Sequence, residues 1–417
     1  MMAVTNRRII LWNMAGSVST AAISVLLLIV VSRFLPASEA DLFAFAYALG
    51  NMLVVIGLFQ VRNYQATDIE RRYSFQTYAV ARIQTCLAMI IVASVYLLIT
   101  SADEERATVV MLVTLYRLTD AVSDLYQGLF QQEERLDVAG KSLVYRNSLI
   151  FLIFTVVLFF TKRLEFALAA LLITSVGMIL LFDNIQSRQF SERIAPRQPL
   201  IDQVVNSWSL LRENLPLFIN GFLLIYIYNQ PRYVLDRLYL AGQVDAGLQT
   251  IFSILFMPAF VMNLMMLFFR PLITDLALAL SQRDVARFHI LQRKLFLFLG
   301  LASFVVLLGA GIIGLPVLEV LYGVSLNEYW LSFMLLMLGG VLGSFVTAID
   351  NILTAMRQQR VLVVAYGLAF VVAMLISAPL IGNKVLIGAA LSFLITTAVW
   401  LALSVAIFYS LKFKRKN

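Results

Sequence analysis

Residues 9–32 read IILWNMAGSVSTAAISVLLLIVVS, twenty-four positions without an ionisable side chain, directly behind the pair Arg7-Arg8. A helix crossing a bilayer needs about 20 mostly apolar residues, whereas the apolar core of a secretory leader runs only about 7–15. The stretch is too long for a leader, so it is expected to stay as a first span. Working outward, the same kind of run recurs along the whole chain, broken by polar or charged clusters. Twelve spans are expected, at 9–32, 41–61, 77–100, 107–131, 140–161, 164–185, 210–231, 246–269, 291–315, 329–355, 361–381 and 385–410. The composition agrees: of 417 residues, 61% are hydrophobic and 13% charged, with a mean hydropathy of +0.87. Soluble domains carry roughly 25% charged residues, so the polar surface needed to coat a globule in water is missing. The expected class is an all-α integral membrane protein.

Orientation follows from the basic residues. With the N-terminus in the cytoplasm, 24 of the 32 Lys and Arg fall on the inner side, as the positive-inside rule requires. Both termini are then cytoplasmic, and Lys412, Lys414, Arg415 and Lys416 form an inner-leaflet anchor or a solvated tail. Cys86 is the lone cysteine and His289 the lone histidine, which argues against disulfides and metal clusters. Phosphate loops, His/Glu metal pairs and Ser/His/Asp groupings are absent from the sequence, so no enzyme is expected.

The two halves echo each other. Span two ends Phe59-Gln60-Val61-Arg62, with Asp68 and Ala81-Arg82 following, and span eight ends Leu267-Phe268-Phe269-Arg270, with Asp275 and Ala286-Arg287 following. Span four ends Asp124…Gln131-Gln132…Arg135, and span ten ends Asp350…Gln358-Gln359-Arg360. Six spans per half give both halves one orientation, hence a parallel pseudo-twofold repeat of two six-helix lobes. The expected division is 1–195 for the first lobe, 196–209 for an amphipathic linker lying in the membrane interface, and 210–417 for the second lobe. In the linker Leu200, Ile201, Val204, Val205, Trp208 and Leu211 share a face opposite Asp202, Gln203, Asn206 and Ser207. Substrate is then expected between the halves.

Ionisable groups inside hydrocarbon cost about 2.5–3.5 kcal/mol each on insertion scales, so each needs a partner or a purpose. Span four carries Thr114, Arg117, Asp120, Asp124, Gln127 and Gln131 at intervals of three or four, one stripe down a helix. Two readings stand side by side. Arg117 is an anion contact with Asp120 or Asp124 as a coupling carboxylate, or the three neutralise one another. Span ten shows Gly339, Gly343, Thr347, Asp350 and Thr354 on one face; the glycines suit close helix packing, and Asp350 can snorkel or pair with Arg357. Arg33, Arg62, Arg232, Arg237 and Arg270 lie at the ends of spans one, two, seven and eight. A guanidinium binds phosphate or carboxylate through two parallel hydrogen bonds, although interfacial arginines also snorkel routinely. In span seven Asn220 suits a sugar hydroxyl or an interhelical bond, Pro216 marks a start, and Pro231 an end or kink.

The stretch Ala40-Asp41-Leu42-Phe43-Ala44-Phe45-Ala46-Tyr47-Ala48-Leu49-Gly50-Asn51, continuing through Gly57-Leu58-Phe59-Gln60-Val61-Arg62-Asn63-Tyr64-Gln65, resembles bacterial capsular and O-antigen repeat-unit flippases. So does Asp120…Asp124-Leu125-Tyr126-Gln127-Gly128-Leu129-Phe130-Gln131-Gln132 with Arg135-Leu136-Asp137-Val138-Ala139-Gly140-Lys141-Ser142. These flippases belong to the multidrug/oligosaccharidyl-lipid/polysaccharide (MOP) exporter superfamily, and the similarity is clearest over residues 1–185. It implies two six-helix lobes alternating between inward- and outward-open states in the bacterial cytoplasmic membrane. It also implies an undecaprenyl-pyrophosphate-linked oligosaccharide as cargo, for capsule, O-antigen or exopolysaccharide assembly. By position Arg33, Arg62, Arg232 and Arg270 correspond to the cationic lining of that family's cavity, with Arg117 and Asn220 added here. Asp120, Asp124 and Asp350 are the ion-coupling candidates, for an H⁺ or Na⁺ gradient in place of any cofactor. Membrane lipids and other polysaccharide-assembly membrane proteins are the implied partners; nucleic acid is not. A cation-coupled multidrug antiporter is the alternative within the superfamily. A membrane polysaccharide polymerase would need a large catalytic loop, which the spacing of the spans does not leave.

Overall fold

The computed structural model describes residues 2–68, 70–193, 199–264, 269–282, 284–356 and 359–414, and among them every regular element is a helix. The chain packs as two compact units, Met1–Ile225 and Tyr226–Asn417. Nine helices among the described residues are long and apolar enough to cross a membrane.

The first unit contains α1 (Met2–Phe34), α2 (Ala37–Leu58), α3 (Val61–Gln65), α4 (Phe75–Ile99), α5 (Glu104–Gln132), α6 (Leu136–Thr161) and α7 (Leu164–Met178). A π-helical turn, Ile179–Asp183, runs from α7 into the short α8 (Asn184–Ser187). Helix α5 is the hub, with α2, α4 and α7 packed on it, while α1 packs on α6. The α1–α6 crossing is backbone on backbone: a Cβ built on Gly16 would lie 2.9 Å from the Cα of Gly140, and one on Gly140 would overlap the carbonyl of Trp12. The unit buries polar side chains within an otherwise apolar interior and exposes large apolar ones. Thr114, Ser123 and Gln127 are buried, whereas Ile83, Leu87, Ile91 and Leu98 are exposed, the arrangement suited to a hydrocarbon solvent.

Two helix starts of this unit, those of α4 and α5, carry side-chain caps. Ser74 Oγ accepts from the Thr77 amide at 3.2 Å, and Asp103 Oδ1 from the Arg106 amide at 2.8 Å. The turn before α4 is organised by Asp68, whose carboxylate accepts from the Arg72 amide (2.8 Å), the Tyr73 amide (3.1 Å) and the Tyr78 hydroxyl (2.8 Å). Asp68→Ala strands three donors at a buried position and is expected to cost about 2–3 kcal/mol, read as a lowered thermal unfolding midpoint in detergent. An unchanged midpoint would remove Asp68 from the account of this turn.

Helix α9 (Leu200–Leu240) differs from expectation. A span starting near 210 at Pro216 is not seen; one helix of 41 residues runs through both Pro216 and Pro231. Prolines are tolerated inside membrane helices because neighbouring groups re-satisfy the freed carbonyls, so proline position is a weak boundary signal there. The polar face of 200–209 turns onto α4: Gln203 Nε2 donates to Gln76 (3.0 Å) and Ser207 Oγ to Gln84 (3.1 Å). Leu200, Ile201, Val205 and Trp208 are the exposed side.

The second unit takes the end of α9, then α10 (Leu248–Leu264), α11 (Arg270–Ser281), α12 (Val285–Gly309), α13 (Leu315–Tyr322), α14 (Trp330–Ala355) and α15 (Gln359–Lys414). Helix α14 packs against both α10 and α15. A Cβ on Gly339, from the small-residue face, would sit 2.6 Å from the Phe393 ring, and one on the neighbouring Gly340 2.8 Å from the Ala259 carbonyl, so both glycines are close-packing positions. Helix α15 is broken at Val385 (φ 44, ψ −113). The second copies of the repeat motifs fall partly outside the described residues, at 267–268 and 357–358. The side chain of Arg270 and those of the basic tail also lie outside the described residues.

Candidate functional site

The site begins with a break in α2. Phe59 (φ 43) and Gln60 (φ 56) are consecutive non-glycine residues in the left-handed region, an arrangement that carries local strain and ends the helix at Leu58. The chain re-enters a helix at Val61, and this turn carries Arg62 onto the polar stripe of α5. Ending α2 also frees the carbonyl of Gly57, which sits at the negative end of the helix dipole. A guanidinium from α4 meets it: Arg82 Nη1 donates to Gly57 O, joined by Thr85 Oγ1 at 2.8 Å.

The two arginines share one carboxylate on α5. Asp124 Oδ1 lies 3.4 Å from Arg62 Nη1, and Asp124 Oδ2 accepts from Arg82 Nη2 at 2.9 Å. Arg62 further donates to Gln127 Oε1 (2.9 Å) and to Gln131 Oε1 (3.2 and 3.3 Å). One turn earlier, Asp120 is clamped in the same way. Arg117 Nη1 donates to its Oδ2 at 2.8 Å, and Arg146 Nη2, from α6, to its Oδ1 at 2.6 Å. Arg117 also lies over the Tyr47 ring, 4.2 Å from its centroid. Helical spacing places both aspartates near Arg117; in the structure only Asp120 pairs with it.

This core is cation-rich. Four guanidinium groups, of Arg62, Arg82, Arg117 and Arg146, face two paired carboxylates, with a third carboxylate, Asp183, bearing electrostatically on Arg146, so cations still outnumber carboxylates by one. Arg82 and Arg146 keep 2% and 4% of their side-chain surface exposed, whereas Arg62 keeps 28% and is the member a ligand can reach. Arg146 Nε and Nη1 and Arg117 Nε are buried with no hydrogen-bond partner among the described residues. Each of the two paired carboxylates is held by two guanidinium groups, and the positive charge left over favours an anionic ligand.

Arg82 and Arg146 escape a sequence reading that assigns each basic residue to the nearest loop. Arg146 carries a signal, since it lies ten residues beyond the start of α6 at Leu136, about 15 Å along the axis. Asp183 is missed because it falls in the last turn of the expected span 164–185, where an acidic residue reads as an interfacial end. It ends the π turn, is 1% exposed, and accepts from Ser123 Oγ (2.7 Å) and from Ser142 Oγ.

The other candidates are not part of this core. Arg33 is exposed at the end of α1. Asn220, on α9, has its side-chain oxygen buried without a hydrogen-bond partner among the described residues. In the second unit, Arg232 is buried on neutral groups, donating to Asn229 Oδ1 (2.8 Å) and Ser253 Oγ (3.1 Å) and lying 4.6 Å from the Phe256 ring centroid. Asp350 accepts from the Tyr366 hydroxyl at 2.8 Å, and its second oxygen is buried without a partner among the described residues; Arg357 lies outside them. Among the described residues no group of three His, Cys, Asp or Glu side chains comes together in a way that suits a metal ion.

No family model and no curated protein matches the chain. Solved structures do match it. The inward closed conformation of the lipid II flippase MurJ is similar over 97% of this chain and 87% of that one, with 12% identity and a TM-score of 0.68. The inward-facing conformation of a multidrug resistance MATE family transporter of the MOP superfamily is similar over 94% of this chain and 95% of that one, with 14% identity and a TM-score of 0.67. A MOP-superfamily transporter from Pyrococcus furiosus, described as having a binding pocket of reversed polarity, is similar over 97% and 95%, with 13% identity and a TM-score of 0.55. At such identities the likeness is one of fold: the chain has the fold of MOP-superfamily transporters.

Proposed function

We propose that the chain is a MOP-superfamily transporter that moves an undecaprenyl-pyrophosphate-linked oligosaccharide from the inner to the outer leaflet by alternating access. Its setting is the bacterial cytoplasmic membrane, with both termini cytoplasmic and a product used for capsule, O-antigen or exopolysaccharide. One observation carries this reading, the surplus of guanidinium groups over carboxylates inside the first unit, with Arg62 partly open. A pyrophosphate supplies the missing negative charge and accepts paired hydrogen bonds from arginine. The likeness to a structure named as a lipid II flippase supports the same choice.

The reading includes twelve spans. Nine helices qualify by length and apolarity, and one of these, Val361–Ser410, counts twice because α15 is broken at Val385. Helix α10 is short but apolar, and α5 carries too many charges to qualify alone. Six then belong to α1, α2, α4, α5, α6 and α7 and six to the remainder of the chain.

A second reading, a cation-coupled multidrug antiporter, is favoured by Asp350, whose carboxylate has Tyr366 as its hydrogen-bond donor. One experiment separates the two. Protein in liposomes is given a fluorescent undecaprenyl-pyrophosphate oligosaccharide or a cationic dye. The lipid-linked sugar is expected to flip, and Arg62→Ala to slow it about tenfold or more at equal protein level, since Asp124 keeps Arg82 as its partner. Movement of the dye alone, in exchange for H⁺ or Na⁺, would overturn the proposal.

A further inference from the structure

Coupling to a proton gradient requires a group that takes up and releases a proton during the cycle. Asp120 and Asp124 are already committed, each to two guanidinium groups in ion pairs. Asp183 is held differently. Its hydrogen-bond donors are the neutral hydroxyls of Ser123 on α5 and Ser142 on α6. It closes a π-helical turn, a rare geometry concentrated at functional sites, and this turn brings it against two neighbouring helices.

The hydroxyl of Ser123 is one link in a longer chain. Arg62 Nη1 donates to Gln127 Oε1 (2.9 Å), Gln127 Nε2 donates to Ser123 Oγ (3.3 Å), and Ser123 Oγ donates to Asp183 Oδ2 (2.7 Å). Every donor points toward Asp183, the polarity an ionised carboxylate imposes. A protonated Asp183 becomes a donor itself. Ser123 or Ser142 must then accept from it and turn its own hydroxyl proton to another acceptor, which rearranges the bonds around Gln127 and Arg62. The charged side chain bearing electrostatically on Asp183 is Arg146, and the other titratable one beside it is Tyr126.

We propose that Asp183 is the protonation site of the first unit, taking one proton from water and returning one to water in each cycle, with Ser123 and Gln127 carrying the change to Arg62. The proposal rests on the transporter reading above, but its test needs no cargo, so the two can fail separately.

The test is an infrared titration of the full chain in liposomes. The difference between wild type and Asp183→Asn is expected to contain one pH-dependent carbonyl stretch of a protonated carboxylic acid, over the background of the other acidic side chains, and that stretch is expected to persist in Asp120→Asn and Asp124→Asn. Ser123→Ala and Ser142→Ala keep the carboxyl group and remove one hydroxyl each, so each is expected to move the midpoint by about one pH unit. These two variants carry the test if Asp183→Asn does not fold. No titrating band in the difference between wild type and Asp183→Asn, or a midpoint unmoved in both serine variants, would overturn the assignment. So would a band insensitive to pH whose carboxylate stretches respond to Na⁺, which would make the site one for sodium.

Discussion

Replacing Arg82 with leucine is expected to lower the unfolding free energy by about 3–5 kcal/mol, the range for removing one partner of a buried ion pair. The side chain is almost wholly enclosed and serves two groups at once, the Asp124 carboxylate and the Gly57 carbonyl at the end of α2. Thr85 continues to satisfy Gly57 in the variant, so most of the loss falls on Asp124. A double-mutant cycle isolates that part. Asp124→Asn in the Arg82→Leu background should cost clearly less than in the wild type, with a coupling of roughly 2 kcal/mol in the detergent unfolding midpoint. Additive effects would mean that Arg82 acts through packing alone.

The second large effect is steric. Gly140→Val is expected to cost about 3 kcal/mol or more, or to abolish folded protein, because the new Cβ overlaps the Trp12 carbonyl and α1 must move as a body to admit it. Moving α1 also pulls Ser19 and Thr20 away from the Asn147 side chain they accept from at 3.1 and 3.4 Å. Gly177→Ala is the control, since a Cβ there meets nothing within 4 Å and alanine favours the helix by up to about 1 kcal/mol. Equal stability of the Gly140 and Gly177 variants, measured as the fraction of monodisperse protein after heating, would contradict the close crossing.

Much of this was legible in the sequence, and the gaps have physical causes. Apolar runs report the spans directly, because length and lack of charge are what the bilayer requires. The α5 stripe was visible for the same reason, since charges every three or four residues inside such a run cannot all face lipid. Its partners were not visible. Spacing along one helix relates Arg117 to Asp120, but only tertiary packing brings Arg62 and Arg82 to Asp124 and Arg146 to Asp120. Counting basic residues by side of the membrane hid Arg82 and Arg146, because that count assigns a residue to a loop without asking how far into the helix it lies. Proline served as a boundary signal at Pro216 and failed in α9, where the membrane relaxes the rule that holds in water.

Helix α5 has one more consequence, and it concerns how the protein is made. In the twelve-span reading proposed above α5 crosses the bilayer, and with Arg117, Asp120 and Asp124 in that single segment its entry alone is opposed by roughly 8–10 kcal/mol. Arg62 and Arg82 emerge from the ribosome before it and Arg146 after it. On that reading the chain is not threaded into the membrane one independent span at a time. Insertion of α5 is a joint event with the helices that neutralise it, and α6 must arrive before that segment is fully at rest in lipid.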